Sequence, residues 1–526
     1  MALVRRHDIP PFAWVLVAAI ALVAAGVGAG HGRATIPAFL LISLLVARVA
    51  ARIVTRWDRV VIAVLLADIL IPEDGRYTLS AGFFQFEPYR VVVGFSLIIW
   101  LASLLANPRM RVQRTGFEGP LGAIVFVALT SDLINPGRVS AVMSGLIKGY
   151  TLFFCLLFFL YLVVSVIRSR AMVDRFVAVV VSAGCVEAIG AVYQRETNFN
   201  IFDHLHRILP MFQFNLAAEL NNLVRDGSLR AVASAGHPIE LSNTMAILIP
   251  LAAYLAIRRR QPVWWAAMVL LLVGEFASGS KTGILELVAI LLTVLWLRPR
   301  ETLKCWPALI PILLIVQLLM PGVIGGAIRG FFPQGGLIAE QTATYQGKGG
   351  RIDGTRLSRI GPGIRNEFLT HNPLFGEGFG TRVVGRTSLT PGPISPVALQ
   401  NHSQVLDDQW FGTLLETGIL GLLSWLWLFV RVVRKLGARA KLERGSPDGW
   451  LPVALAAAIA GYGVAMSTYD ALGFIQATFL LYMFIAFAAV ILRLPAERPV
   501  SAASPAHVRP ALTASSFRTA PPPAVT

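Results

Sequence analysis

Residues 146–167 read LIKGYTLFFCLLFFLYLVVSVI, and Arg168, Ser169 and Arg170 follow directly. About 20 apolar residues carry a helix across the hydrocarbon layer of a membrane. This run meets that length with a single charge, Lys148, and ends on a cationic stop. Comparable runs recur on both sides of it, at 12–30, 35–51, 60–71, 91–106, 121–134, 176–193, 239–257, 263–277, 282–297, 306–320, 411–430, 451–466 and 471–492. Together they make roughly fourteen candidate spans. Those at 60–71 and 121–134 are short, which suits tilted or re-entrant helices. The run after Arg5 and Arg6 resembles a signal peptide, but no small-residue cleavage site clearly follows it and it reads as a retained first helix.

Composition agrees. Of 526 residues 55% are hydrophobic and only 14% charged, with a mean hydropathy of +0.66. A soluble domain carries about a quarter charged residues. The net charge of +17 would suggest nucleic acid in a soluble protein. Here most Lys and Arg sit in short clusters between apolar runs, so nucleic acid is excluded as a partner. Cys155, Cys185 and Cys305 form no CxxC pair, so neither a zinc site nor a disulfide framework is indicated.

Short basic loops mark the cytoplasmic side. Alternating the spans from a cytoplasmic N-terminus places there Arg5/Arg6, Arg52/Arg56/Arg59, Arg109/Arg111/Arg114, Arg168/Arg170/Arg175, Arg258/Arg259/Arg260, Arg298/Arg300/Lys304, the cluster from Arg431 to Arg444, and Arg493/Arg498. Misplacing one span would destroy the pattern. The chain then divides into N-terminal membrane helices (1–193), a first outer loop (194–236), membrane helices with a hairpin (237–320), a long outer loop (321–409), C-terminal membrane helices (410–494) and a cytoplasmic tail (495–526). The tail is rich in Ala, Ser, Thr and Pro and reads as disordered. No internal repeat is evident.

Charges within or beside spans are functional candidates: Asp68, Lys148, Glu187, Glu240, Glu275, Lys281, Glu286, Glu416 and Asp470. Polar packing between helices is the ordinary alternative for Asp68, Glu187 and Glu286. Basic residues on the outer side run against the positive-inside bias. Arg195 and Arg230 flank the first outer loop, Lys281 tops a hairpin, and the long loop carries Arg329, Arg351, Arg356, Arg359, Arg365, Arg382 and Arg386. Such a set binds phosphate by charge-assisted hydrogen bonds. Anionic headgroups and loop carboxylates are the competing uses for any single loop arginine.

Three segments carry a family resemblance. The first is Arg230-Ala-Val-Ala-Ser-Ala-Gly-His-Pro-Ile-Glu-Leu-Ser, leading into a span. The second is Ser278-Gly-Ser-Lys-Thr-Gly, between two spans. The third begins His371-Asn-Pro-Leu-Phe-Gly-Glu-Gly-Phe-Gly and closes with Leu406-Asp-Asp-Gln-Trp and Leu415-Glu-Thr-Gly-Ile-Leu-Gly. Together these resemble the O-antigen ligase and polymerase family of bacterial envelope glycan enzymes, over roughly residues 195–428. The resemblance implies an all-α integral membrane bundle of roughly 12–14 transmembrane helices with an outer loop of short helices, similar to glycosyltransferase-C folds. It implies a metal-independent, inverting glycosyl transfer with no cofactor on the outer face of the cytoplasmic membrane. The partners would be a polyprenyl-pyrophosphate-linked glycan donor, a glycan or lipid-linked acceptor, membrane lipids and a chain-length regulator or other assembly protein.

In that reading Arg230 and Lys281, with Arg195, Arg356 and Arg365, neutralise the leaving pyrophosphate. The catalytic candidates are Asp407, His402 and Glu416. The family usually has His-Asn where this chain has Asp407-Asp408; the nearest histidine is His402. The base that deprotonates the acceptor hydroxyl is therefore Asp407, His402 through a shifted loop, or a residue elsewhere. His371, Pro373, Gly376 and Gly378 read as a tight turn that seats the outer loop on the spans. Gly376 to Gly380 has the composition of a phosphate loop but lacks its flanking strand and helix. Two other classes stay open: a lipid-linked glycan transporter, and an inactive scaffold of an envelope assembly complex.

Overall fold

An apolar run in a membrane can satisfy its backbone as a helix without outside partners, and the computed structural model of the chain folds these runs so. It describes residues 57–72, 77–81, 84–86, 88–106, 110–141, 143–208, 213–214, 224–225, 228–304, 372–381 and 408–496, with isolated positions 307, 314 and 318. The expected spans 12–30, 35–51 and 306–320, most of the long outer loop and the tail lie outside the described residues.

The helices are α1 Trp57–Leu70, α2 Pro88–Ala106, α3 Glu118–Ile134, the short α4 Pro136–Ala141, α5 Met143–Val166, α6 Arg170–Thr197, α7 Pro238–Arg259, α8 Pro262–Ala277, α9 Lys281–Leu297, the short α10 Pro299–Lys304, α11 Gln409–Leu442, α12 Trp450–Ala465 and α13 Ile475–Arg493. Among the described residues six stretches are long and apolar enough to cross a membrane: Gly149–Val166, Arg170–Thr197, Pro238–Arg259, Gln409–Leu442, Pro447–Ala465 and Ile475–Arg493. Shorter apolar helices cover Pro88–Leu104 and Pro262–Ala277. The chain is thus a helical, multi-pass membrane protein. The two short candidates become Trp57–Leu70 and Glu118–Ile134.

Helix α13 forms the centre. Every residue from Ile475 to Ile491 is buried, which is why its sequence is apolar all round. Helix α12, with Ala454, Ala456, Ala457, Ala458 and Gly461, has few bulky side chains and packs closely on α7, α9 and α11. Large apolar side chains such as Phe126, Leu133, Phe158, Ile189, Leu292, Trp296 and Leu423 face outward, as a lipid-facing surface requires.

Among the described residues, short strands occur in connections. β1 Tyr77–Ala81 pairs antiparallel with β2 Phe84–Phe86 and with β3 Gln213–Phe214, tying the α1–α2 connection to the first outer loop. β4 Val224–Arg225 and β5 Ser228–Leu229 form a small hairpin that delivers Arg230.

The ends of the bundle differ. At one end lie several of the arginines that the sequence assigns to cytoplasmic connections, and they are built into the structure. Arg170 makes a two-pronged pair with Glu443 at 2.9 and 3.1 Å, and Arg439 reaches the same carboxylate at 2.8 Å. Arg258 pairs with Asp448 at 2.6 Å. Arg298, only 1% exposed, donates to the carbonyls of Ala440 and Arg444 at 2.9 and 3.2 Å and lies over the Trp450 ring. The basic segment after residue 430 is not a loop. It extends α11 to Leu442, where cationic side chains suit the negative end of the helix dipole.

Candidate functional site

At the opposite end, α8 and α9 are joined by the turn Ser278–Ser280. Gly279 adopts φ +59°, a left-handed conformation that glycine tolerates and that reverses the chain within three residues. The Ser278 hydroxyl accepts from the Ser280 amide at 3.1 Å, and the Ser280 hydroxyl caps α9 by accepting from Thr282 N at 3.3 Å. Lys281 is the first residue of that helix.

Two arginines close on this turn from different directions. Arg195, in the last turn of α6, donates through Nη1 to Ala277 O at 3.2 Å. Arg230, buried before α7, donates through Nε to Ser278 O at 3.2 Å. A Cβ on Gly279 would stand 3.3 Å from Arg230 Cγ and 3.8 Å from Arg195 Nη1, so the glycine admits both side chains. Three cations far apart in sequence therefore meet at one turn.

The Arg230 segment is held rigidly. Ala231 N bonds to Ala277 O at 3.1 Å, and Gln194 Oε1 accepts from both Val232 N and Ala233 N at 2.9 and 2.8 Å. The Ser234 hydroxyl lies 2.6 Å from both Ile69 O and Glu187 Oε1 and donates its one proton to either. Glu240 accepts from Gly236 N at 2.8 Å and from Gln476 N at 2.9 Å. Glu187 and Glu240 thus serve the polar packing that fixes this end of the bundle. His237 caps α7 by accepting from Ile239 N at 3.2 Å through Nδ1, with Pro238 opening the helix. Burial, and then the neighbouring Arg230 charge, push its imidazole down to about 4, so the ring is neutral near pH 7.

Beneath the turn lie two carboxyls, Glu275 and Glu286, both with 0% exposure. Glu275 accepts from the Ser242 hydroxyl at 3.1 Å. Gly283 backs onto both side chains, and any Cβ there would overlap them. Asn243, oriented with its nitrogen toward Glu286, donates to Oε1 at 2.8 Å and accepts from the Tyr469 hydroxyl. Thr468 meets Thr282, hydroxyl to hydroxyl, at 3.0 Å, while Gln409 N reaches Met466 O and Tyr469 O at 2.7 and 3.1 Å. The start of α11 is thereby docked beside the start of α9. Its N-cap is Asp408, whose carboxylate accepts from Phe411 N at 3.0 Å.

Residues 372–381 and the middle of α11 form a second assembly. Gly418 breaks the helix at φ +69°, ψ −169°. In an unbroken helix Ile419 N and Leu420 N would bond to Leu415 O and Glu416 O. Instead Ile419 N bonds to Pro373 O at 2.9 Å and Leu420 N to Leu374 O at 3.2 Å. The two orphaned carbonyls accept from the same turn: Leu415 O from Glu377 N at 2.9 Å, Glu416 O from Gly378 N at 3.0 Å. These two amides and two carbonyls are all re-satisfied by residues 373–378, as burial demands. Gly376, at φ +71°, lies so close to Leu415 and Glu416 that no side chain fits. From the other side Ser131 donates to Glu416 O at 2.7 Å, Asn135 to Gly376 O at 2.9 Å, and Arg138 pairs with Glu377. Tyr150 packs on Phe379 with ring centroids 5.0 Å apart.

The sequence candidates thus fall into two groups. Arg195, Arg230 and Lys281 come together at the hairpin. Pro373, Gly376, Gly378 and Glu416 come together at the helix break, where Glu416 is 5% exposed. Asp407, His402, His371, Arg356 and Arg365 lie outside the described residues. Sequence reading did not single out Gln194 or the capping role of His237; the Gly236-His237-Pro238 run, with proline at the first helical position, was the available signal for the latter. Among the described residues no three His, Cys, Asp or Glu side chains gather to hold a metal ion. No protein-family model matches the chain, and no curated protein matches it.

Proposed function

We propose that the chain is a membrane glycosyltransferase of the O-antigen ligase and polymerase type. The convergence of Arg195, Arg230 and Lys281 on the turn 278–280 carries this reading. A diphosphate leaving group develops negative charge as its bond to the sugar breaks, and preorganised cations stabilise that charge. Arginine forks suit phosphate oxygens, and a lysine at a helix N-terminus adds a point charge beside the helix dipole.

The donor is a glycan on a polyprenyl pyrophosphate. The acceptor hydroxyl oxygen attacks the anomeric carbon from the face opposite the diphosphate, the bond from that carbon to the diphosphate oxygen breaks, and configuration inverts. The hydroxyl proton passes to Asp407, with His402 as the second candidate, and polyprenyl pyrophosphate leaves as the anion. Asp408, next in sequence, is tied up as the cap of α11. The clasp at Gly418 fixes residues 372–381 on α11. Polymerisation of the glycan is preferred over ligation to a lipid core, because Asp407-Asp408 stands where a ligase has His-Asn. The cation end faces outward and both termini face the cytoplasm of a bacterial cell, in line with the arginines gathered at the other end.

The test is reconstitution with polyprenyl-pyrophosphate-linked glycan. Lengthened or transferred glycan together with released lipid pyrophosphate, lost on Lys281→Ala, supports the proposal. Movement of the donor across the bilayer with no release overturns it in favour of transport.

A further inference from the structure

One turn of helix serves both arginines that close on the turn 278–280. Gln194 and Arg195 are neighbours in the last turn of α6. Arg195 reaches Ala277 O directly, and the same carbonyl accepts from Ala231 N at 3.1 Å. Gln194 holds the other arginine's segment: its Oε1 accepts from Val232 N and Ala233 N at 2.9 and 2.8 Å, using both lone pairs of one oxygen. Gln194, Val232 and Ala233 are all buried, so water is a poor substitute for these bonds.

The segment needs such a grip. It reads Arg230-Ala-Val-Ala-Ser-Ala-Gly, and side chains this small interlock little with their surroundings. Ala233 also holds φ +51°, a left-handed conformation that a residue with a Cβ keeps only when its neighbours enforce it. Gln194 holds its N–H, and Asn200 Nδ2 donates to its carbonyl at 2.9 Å. Arg230 stands two residues before the first gripped amide, with its Nε 3.2 Å from Ser278 O.

We infer that Gln194 is a positioning residue for glycan transfer, which sets Arg230 against Arg195 at the turn 278–280 by gripping the main chain that follows Arg230. The inference rests on the proposed function. Gln194 bonds to main chain, and its effect on the leaving diphosphate passes through Arg230.

The experiment compares kcat/KM for transfer from a polyprenyl-pyrophosphate-linked glycan by the full chain in proteoliposomes. The proteins are the parent, Gln194→Met, Gln194→Glu, Arg230→Ala and the double variant Gln194→Met with Arg230→Ala. Methionine matches the length of glutamine and lacks the acceptor, whereas glutamate keeps an oxygen at the same reach. Gln194→Met is expected to lose roughly 10- to 100-fold, the scale of a misplacement of about 1 Å. Gln194→Glu should recover most of that loss. On the Arg230→Ala background, Gln194→Met should cost less than about 2-fold, because nothing is left for it to position. The same cycle run with Gln194→Asn, whose amide falls short by one methylene, decides the matter if the methionine variant fails to fold. A full second loss on the Arg230→Ala background overturns the inference, as does Gln194→Glu falling as low as Gln194→Met; the proposed function stands in both cases if the parent transfers glycan and Arg230→Ala is slow. If the parent releases no lipid pyrophosphate, both fall.

Discussion

Gly418→Ala tests the clasp between α11 and residues 372–381. At φ +69°, ψ −169° the backbone occupies a region essentially reserved for glycine, and another residue there costs about 1–3 kcal/mol. The new Cβ would also overlap the Leu374 carbonyl. The protein can keep the break and bear that strain, or let α11 straighten and release the turn. Release forfeits the four hydrogen bonds from Ile419, Leu420, Glu377 and Gly378, but a straight α11 regains those of Ile419 and Leu420 to Leu415 O and Glu416 O, a net loss of two at about 1 kcal/mol each. The cheaper route sets the loss, so the clasp weakens by about 2 kcal/mol, equivalent to roughly a 30-fold higher open population. Hydrogen exchange read on peptides covering 372–381 should show the Glu377 and Gly378 amides exchanging about 30-fold faster. Gly122→Ala is the control, since nothing lies within 4 Å of a Cβ there. Unchanged exchange in Gly418→Ala would refute the account of the helix break.

Arg230→Ala should lower the rate of glycan transfer by about 10²–10³-fold, as loss of one preorganised donor to developing charge does, and Arg230→Lys should restore only part of it; a rate assay on reconstituted enzyme decides. Gly283→Ala pushes a methyl into Glu275 and Ser242 and should cost about 1–3 kcal/mol in thermal denaturation, as overpacking does. Arg298→Ala should cost about 2–3 kcal/mol through its lost bonds to Ala440 and Arg444, whereas exposed Arg300→Ala should be neutral in the same assay. His237, held at about 4 against an ordinary 6.5, binds its proton less readily when folded than when unfolded. Its contribution is therefore complete above pH 6.5 and falls away as the pH drops toward 4, by at most ~3 kcal/mol. The melting temperature of the parent should fall relative to His237→Asn over that window, and a constant difference between pH 7 and pH 4.5 would contradict this.

The membrane helices were legible because each is a long apolar run closed by charges, and the described helices cover the expected runs from 60–71 onward apart from 306–320. The meeting of Arg195, Arg230 and Lys281 was legible only as a motif, since their separation in sequence says nothing about distance. The clasp was half legible. Glycines at 376, 378 and 418 signal unusual backbone, but the exchange of hydrogen bonds runs through main-chain atoms that every residue possesses. The basic cluster after residue 430 was misplaced as a connection, because positive charge marks a membrane face whether its backbone is loop or helix. Arg298 and Arg170 show that such residues also bind carbonyls and carboxylates of their own bundle.

The most direct measurement is a structure of the protein with a polyprenyl pyrophosphate bound. The account predicts phosphate oxygens at charge-assisted distances, about 2.7–2.9 Å, from Arg195, Arg230 and Lys281 beside the turn 278–280. A diphosphate seated instead among Arg170, Arg258 and Arg298 at the other end of the bundle would contradict it.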